Sequence, residues 1–341
     1  MLRRTPPVRL AEDEQRCAID EQPSVRYENR MKMLSRDDVA AKLTFDICIP
    51  AVRAAMTALS KGETRQLPRG YLPLEQGRIF GTMTGALGDG GPFGAKLISI
   101  FPDNFDKGIP SHQGVVVLFD RETGQPIAMA DGGEITAIRT ACASAVATDA
   151  LARPDANRLA LFGYGEQAET HLQAISCVRT LRQVTVWGRS LDRAKAFADK
   201  MSAHTGLLVT AIASAEEAAR NADIICTLTN AKEPILLGDW VRPGTHINAV
   251  GSSVPGPVEV DNDLVLKSRY IADSRVNILL VGAEFLKAKE AGLIGDDHII
   301  AEIGQVLAGD VVGRRNAEDV TFYKSVGHIM QDLASLAAIL D

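Results

Sequence analysis

The chain has little that would tie it to a membrane, a nucleic acid or an oxidising compartment. Its five cysteines, Cys17, Cys48, Cys142, Cys177 and Cys226, are odd in number and scattered. None forms a CxxC pair and no His/Cys spacing suits zinc, so no metal site is expected. They read as reduced thiols of a cytoplasmic protein. No apolar run approaches the roughly 20 residues of a membrane helix, and no apolar segment follows the basic residues of MLRRTPPVRLAEDEQRC. Neither insertion nor export is signalled. Basic charge is not in excess either: 37 Lys and Arg stand against 43 Asp and Glu, a formal net charge of -6. With no basic stripe, neither nucleic acid nor an anionic membrane is an expected partner, which leaves small molecules and other protein chains. Internal repeats and low-complexity tracts are missing as well.

What is present is enough for a substantial core: 341 residues, 46% of them hydrophobic, suggest about two domains. Residues 1–32 are polar, carry Pro6, Pro7 and Pro23, and read as a loose N-terminal arm. From Leu34 the pattern improves. Ser35 can cap a short helix with Asp37 and Asp38 in its first turn, and apolar residues from Ile47 to Leu59 keep helical spacing up to Gly62. Alternating runs at Arg78 to Met83, Phe93 to Phe101, Val115 to Phe119 and Pro126 to Ala130 predict strands, with a hairpin turn at Asp120 to Gly124. The alanine-rich stretch from Thr136 to Leu151 predicts a helix of small residues that can pack closely between domains.

The second half alternates short apolar runs with helix-like segments. The runs are Arg158 to Phe162, Gln183 to Trp187, Leu207 to Ile212, Asp223 to Thr227, Thr245 to Val250 and Tyr270 to Ala272. Buried parallel strands with crossover helices give this rhythm. The expected fold is therefore α/β, with a Rossmann doubly wound parallel sheet over 152–317. A discontinuous α+β domain for substrate and dimerisation takes 33–151 and 318–341. The last helix, Val326 to Leu340, keeps Ile329, Leu333, Leu336 and Leu340 on one face, and should fold back on the first domain.

One segment carries specific chemistry. In RLALFGYGEQAETHLQAI, Gly163, Gly165 and Ala168 stand in GxGxxA spacing between a strand and a helix, with Glu166 and Gln167 inside the motif. Gly163 permits the tight turn, Gly165 lets backbone approach a pyrophosphate, and Ala168 lets the helix pack on the strand. An NAD-preferring site places an acid at the end of the second strand. VTVWGRSLDR has Gly188 in that slot, followed by Arg189, Ser190 and Arg193, which favours NADPH and leaves NADH second. Thr229 and Asn230 after the fourth strand, and Val250, Gly251 and Ser252 after the fifth, lie at carboxyl ends of strands, where they would line the ribose and nicotinamide.

Several further segments agree with a known family: LPRGYL at 67–72, FGAKLISIFPDN at 93–104, GIPSHQGVVVLFDRETGQPIA at 108–128, EITAIRTACASAVAT at 134–148, INAVGSSVPGPVEVD at 247–261 and VTFYKSVGHIMQDLA at 320–334. From about Met33 onward the chain resembles the ornithine cyclodeaminase and mu-crystallin family. That resemblance implies NAD(P) dependence, a homodimer, and action on amino or imino acids. It also implies that Arg69, Lys96 and Arg139 converge on a substrate carboxylate, although each cation alone would read as a surface or capping charge. Such a cluster fits the chemistry, because a held carboxylate fixes which face of the neighbouring carbon meets a hydride. His112 is a candidate substrate contact or acid/base, but a lone histidine in a glycine-rich turn is more often structural. Asp131 reads as a turn or cap residue. Lys324, Ser325 and Gly327 match the family's closing motif and would approach the nicotinamide.

The sequence departs from the family at one catalytic slot. Cyclodeaminases carry an aspartate after the NAVG strand, where this chain has Ser253. A serine hydroxyl is no base at neutral pH without an activating partner. The expected activity is thus NADPH-dependent reduction of a cyclic or small imino acid, with Lys96, Arg139 and Ser253 as the candidate catalytic set. Ornithine cyclodeaminase or alanine dehydrogenase activity is the alternative within enzymes, and an NADPH-bound small-ligand binding protein the alternative outside them.

The arm should be dispensable, since its sequence promises no burial. A chain beginning at Met33 is expected to keep the melting temperature and cofactor affinity of the full chain, and a fall in either by thermal denaturation or titration would show that the arm packs on the body.

Overall fold

The computed structural model describes residues 31–340, so the expected arm lies outside the described residues except for its last two. Order is already present at Lys32, because strand β1 (Lys32–Leu34) pairs in parallel with residues 128–130. Helix α1 (Arg36–Lys42) starts as the sequence suggests. Ser35 Oγ accepts from the Asp38 amide at 3.2 Å and Asp38 Oδ2 accepts from the Ser35 amide at 2.9 Å, a reciprocal capping box. Helix α2 (Phe45–Ser60) then buries Cys48, Ile49, Val52, Ala55 and Met56 on one face.

The first sheet has seven strands. It adds β2 (Arg65–Gln66), β3 (Gly70–Pro73), β4 (Ile79–Ala86), β5 (Phe93–Ile100), β6 (His112–Phe119) and β7 (Pro126–Asp131) to β1. The order is β1-β7-β6-β5-β4-β2, with β3 also on β4, and all pairs except β1 with β7 are antiparallel. Strand β6 starts three residues earlier than its alternation suggested, so His112 opens a strand opposite Ile100 and does not sit in a turn. Gly114 hid that start by interrupting the apolar pattern. Asp131 caps the next helix, α3 (Gly132–Leu151), by accepting from the Glu134 amide at 2.7 Å.

Helix α3 is buried nearly all round, the signature of a central helix. Its polar residues are therefore paired. Ser144 Oγ lies 2.9 Å from His171 Nε2, and Thr148 Oγ1 accepts from Asn248 Nδ2 at 2.9 Å. Asn248 continues to His246 Nε2 at 3.2 Å, and His246 Nδ1 to Thr321 Oγ1 at 3.0 Å. Burial first, then the nearby Arg314, pushes His246 down to about 3, so it stays neutral in this chain of hydrogen bonds. The network fastens α3 to the second sheet.

That sheet has eight strands, all parallel: β8 (Arg158–Phe162), β9 (Gln183–Trp187), β10 (Val209–Ala211), β11 (Ile224–Thr227), β12 (His246–Ala249), β13 (Arg269–Ala272), β14 (Ile299–Glu302) and β15 (Thr321–Lys324). Their order is β10-β9-β8-β11-β12-β15-β13-β14. Direction reverses beside β8, the switch point where a doubly wound sheet opens a crevice for a ligand. Helix α4 (Glu166–Ser176) follows β8 and α5 (Leu191–Thr205) follows β9.

The boundary expected at 317 does not hold for the sheet. Residues 321–324 form β15 between β12 and β13, inside this sheet, whereas the sequence assigns 318–341 to the other domain. Only after Lys324 does the chain cross over, and the C-terminal helix (Ile329–Ala337) packs on the first sheet and on α2 and α3. Strands β14 and β15 are missing from the apolar runs of the sequence, although β11, β12 and β13, equally short and buried, are among them.

Candidate active site

The fingerprint turn has the geometry its residues require. Gly163 has φ of 126°, and a Cβ there would come within 2.9 Å of the Leu228 carbonyl oxygen. At Gly165 a Cβ would meet no protein atom within 4 Å, so open space lies above the start of α4. Ala168 is fully buried against the sheet, and Gln167 Oε1 is buried without a hydrogen-bond partner. The first amides of α4 face this space, an arrangement that fits a pyrophosphate. Glu166 is an unexpected acid at that point. Its Oε1 lies 2.5 Å from Arg36 Nη2, and Arg36 Nε lies 2.9 Å from Glu134, so α1 supplies its counter-charge. Beyond β9, Arg189 and Arg193 are exposed, while Ser190 Oγ accepts from the Arg193 amide at 3.3 Å and caps α5.

At the ends of β11, β12 and β15 the chain buries a small ionic cluster. The Thr229 amide and hydroxyl both donate to Glu259 Oε1, at 2.6 and 2.7 Å. Burial pushes Glu259 up to about 7, against the pull of Lys324 and of the Thr227 and Thr229 hydroxyls, with Glu284 adding to the rise. Lys324 is completely buried: Nζ lies 3.0 Å from Glu284 Oε2 and donates to the Gly251 carbonyl at 2.5 Å. It thus ties the loop after β12 to β15 and to Glu284. Ser252 adopts φ of 57° and is buried with its hydroxyl unpartnered. Val250 is half-buried and Asn230 exposed on the same rim.

The expected cations do come together, and around a residue the sequence reading missed. Lys96 Nζ from β5 and Arg139 Nε from α3 both bind Asp332 Oδ1, at 2.8 and 2.9 Å. Lys96 also donates to Thr136 Oγ1 at 2.6 Å, and Arg139 Nη1 to Gln331 Oε1 at 2.8 Å. Asp332 is wholly buried and its Oδ2 has no hydrogen-bond partner among the described residues. Burial opposes its ionisation, but Arg139 and Lys96 outweigh burial and hold it below the usual carboxylate range. Lys96 is lowered to about 8 by burial, with Asp332 opposing the shift and Arg139 reinforcing it.

The turn before the C-terminal helix completes this cluster. A Cβ on Gly327 would stand 3.0 Å from both terminal nitrogens of Arg139. Arg69 donates to the carbonyls of Val326, at 3.1 Å, and Gly327, while Asp273 Oδ2 accepts both of their amides at 2.8 Å. Ser325 is buried beside them with its hydroxyl unpartnered. Water still reaches His112, yet protein on its other sides withholds enough hydration that its imidazole is pushed down to about 4, with Lys96 and Arg139 adding to the shift. Ser253 lies in the half-buried loop after β12, and no described histidine bonds its hydroxyl. The readable sign of Asp332 was an acid within the apolar HIMQDLA helix.

Comparison with known proteins finds relatives over nearly the whole chain. Residues 29–341 match the model of the ornithine cyclodeaminase/mu-crystallin family. The chain is 35% identical over 315 residues to the ketimine reductase mu-crystallin of Rattus norvegicus, a match spanning 90% of this chain and 96% of that protein. The structure of Thermococcus litoralis Delta(1)-pyrroline-2-carboxylate reductase in complex with NADH and L-proline gives a TM-score of 0.88 at 34% identity, over 91% of this chain and 96% of that one. An archaeal alanine dehydrogenase dimer with bound NAD gives 0.86 at 30% identity, over 91% and 95%.

Replacing Asp332 with asparagine keeps the shape and removes the charge that two buried cations share. The expected loss is about 3–5 kcal/mol of folding stability, read by urea denaturation. A loss under about 1 kcal/mol would mean that water, and not Asp332, neutralises the cluster.

Proposed function

The chain belongs to the ornithine cyclodeaminase/mu-crystallin family, and we propose that it is an NADPH-dependent reductase of a small cyclic imino acid, of the 1-pyrroline-2-carboxylate or 1-piperideine-2-carboxylate type. One observation carries the reading: Lys96 and Arg139 share a single carboxylate, which leaves about one positive charge buried without a counterion among the described residues. A substrate carboxylate beside a C=N bond supplies that counterion. Charged hydrogen bonds contribute about 1.5–3 kcal/mol each, enough for two or three cations to dominate recognition of a small acid.

The bound nicotinamide supplies the hydride. Gly163, Gly165, Glu166, Gln167 and Ala168 form the seat for its pyrophosphate, with Thr229, Asn230, Val250, Gly251 and Ser252 along the ribose. Gly188 and Arg189 favour the 2′-phosphate, hence NADPH, with NADH as the weaker coenzyme. The protein's task is then positional: Arg139 and Lys96 hold the carboxylate, Arg69 closes on it from the turn it now binds, and His112 borders the ring. A protonated imine already carries its proton, so reduction asks little of Ser253.

A homodimer is part of the proposal. The outer face of the first sheet exposes Leu72 and Leu97 beside a shallow hollow lined by Phe80, Leu97 and Val115. An apolar sheet face of this kind suits a second copy of the chain, and the archaeal relative is a dimer. The free thiols Cys48, Cys142 and Cys226, all buried, suit a cytoplasmic setting.

The decisive assay follows NADPH oxidation with both ring sizes alongside ammonia release from L-ornithine. Reduction of at least one imine with little or no cyclodeamination is expected, because absent acid/base assistance costs roughly 10²- to 10⁴-fold. Robust ammonia release with no imine reduction would overturn the reading.

The cluster also predicts a pH dependence. Lys96 titrates near 8 in the free protein and binds a carboxylate only when charged. Inhibition by pyrrole-2-carboxylate, which has no group titrating nearby, should therefore be full below pH 8 and weaken as pH rises through it. His112, near 4, contributes nothing in that window. An inhibition constant unchanged up to pH 9.5 would remove Lys96 from the carboxylate site.

A further inference from the structure

We propose that Tyr164 is a specificity-determining residue: its ring occupies the space of any side chain at position 188 and so bars the carboxylate with which dinucleotide sites select NADH. The inference rests on the reading of this crevice as an NADPH site.

Residue 188 directly follows β9, about 20 residues beyond the fingerprint, where an acid would bind the ribose 2′-hydroxyl. Here a Cβ built on Gly188 would overlap Cδ1 and Cε1 of Tyr164 and stand 3.3 Å from its Cζ. Gly188 itself has no positive φ, so backbone conformation does not demand glycine there. The ring does. Two features hold the ring in place. The Gly163 amide donates to the Trp187 carbonyl at 2.8 Å, which ties the fingerprint turn to the end of β9 and sets Tyr164 over Gly188. The half-buried ring also packs on the core that contains Leu161, Val186, Ala194 and Phe197, so swinging it away exposes apolar surface.

The consequence is a selection made by exclusion. With the acid barred, the exposed Arg189 meets the 2′-position without an opposing charge. Tyr164 makes the NADPH preference hard to reverse by a change at position 188 alone. Two changes are needed together.

The test measures Kd for NADPH and NADH by fluorescence titration, and melting temperature, on wild type, Tyr164→Ala, Gly188→Asp and the double variant. Tyr164→Ala should still prefer NADPH. Gly188→Asp alone should melt lower and bind both coenzymes weakly, whereas the double variant should bind NADH at least tenfold better than Gly188→Asp does. If Gly188→Asp alone binds NADH as well as the double variant, Tyr164 is no gate and the proposal fails. Gly188→Ala, which adds only the clashing carbon, repeats the cycle should the aspartate variants not fold: it should lower the melting temperature when Tyr164 is present and leave it unchanged in the Tyr164→Ala background, and equal losses would again sink the idea. The underlying coenzyme reading is judged separately, by whether wild type prefers NADPH and whether Arg189→Ala removes that preference while the coupling between 164 and 188 persists.

Discussion

The arrangement of the candidate site depends on Asp332 and on the burial of two cations against it. A charge taken out of water costs several kcal/mol unless it is paired, and Lys96, Arg139 and Asp332 are all removed from solvent. The three residues come from a strand of the first sheet, from the central helix and from the C-terminal helix. None of these elements can move without stranding a charge. One carboxylate for two cations is also an incomplete pairing, while burial, more than the neighbouring Arg139, lowers Lys96. The fold thus holds a defined electrostatic deficit where an anionic substrate can relieve it.

The segment from Lys324 to Asp332 transmits this constraint between the two sheets. Lys324 ends an interior strand of the parallel sheet, bound to Glu284 and to the Gly251 carbonyl. Just beyond it, the Val326 and Gly327 amides are held by Asp273 and their carbonyls by Arg69. In the helix that follows, Asp332 meets Lys96 and Arg139. Burial pushes Asp273 up to about 6 against the pull of Arg69 and those amides, which marks how closely the turn is enclosed. A coenzyme on one sheet and a carboxylate on the other would therefore be registered by a single short stretch of chain, whose Gly327 leaves just enough room for the Arg139 guanidinium.

Much of this is legible in the sequence. The GxGxxA turn, the capping box at Ser35 and the hairpin at Asp120 are local, and local chemistry writes itself into adjacent residues. Arg69, Lys96 and Arg139 emerge through a resemblance, not through spacing, because residues 69, 96 and 139 share no element. Asp332 escapes for the same reason: an acid facing a core is meaningful only once its partners are known. Strands β14 and β15 go unread although the equally short and buried β11, β12 and β13 are legible, and β15 reaches its place by returning from the far side of the chain. His112 is misplaced by one glycine. The clash between Gly188 and Tyr164 joins residues of two different strand ends and is a fact of packing alone.

The titratable groups of the site bear on which reaction it can run. Eliminating ammonia from an amino acid needs a group that accepts a proton near neutral pH. Asp332 is held below the usual carboxylate range by two cations, and so weak a base accepts protons poorly. His112 and His328 are each pushed down to about 4, by burial first, and imidazoles that weak take a proton from an ammonium only at a large cost. Glu259, near 7, has the right strength but commits one oxygen to both donors of Thr229 and is fully buried. Ser253 has no activating histidine among the described residues. Each of these candidate bases is thus weakened, unactivated or enclosed, while the groups that orient an anion are strong and fixed. Lys96, lowered to about 8, has a strength nearer to what deamination needs, but its Nζ is engaged by Asp332 and Thr136 and is charged at neutral pH. The site therefore acts chiefly by orientation, which is what hydride addition to a preformed imine requires.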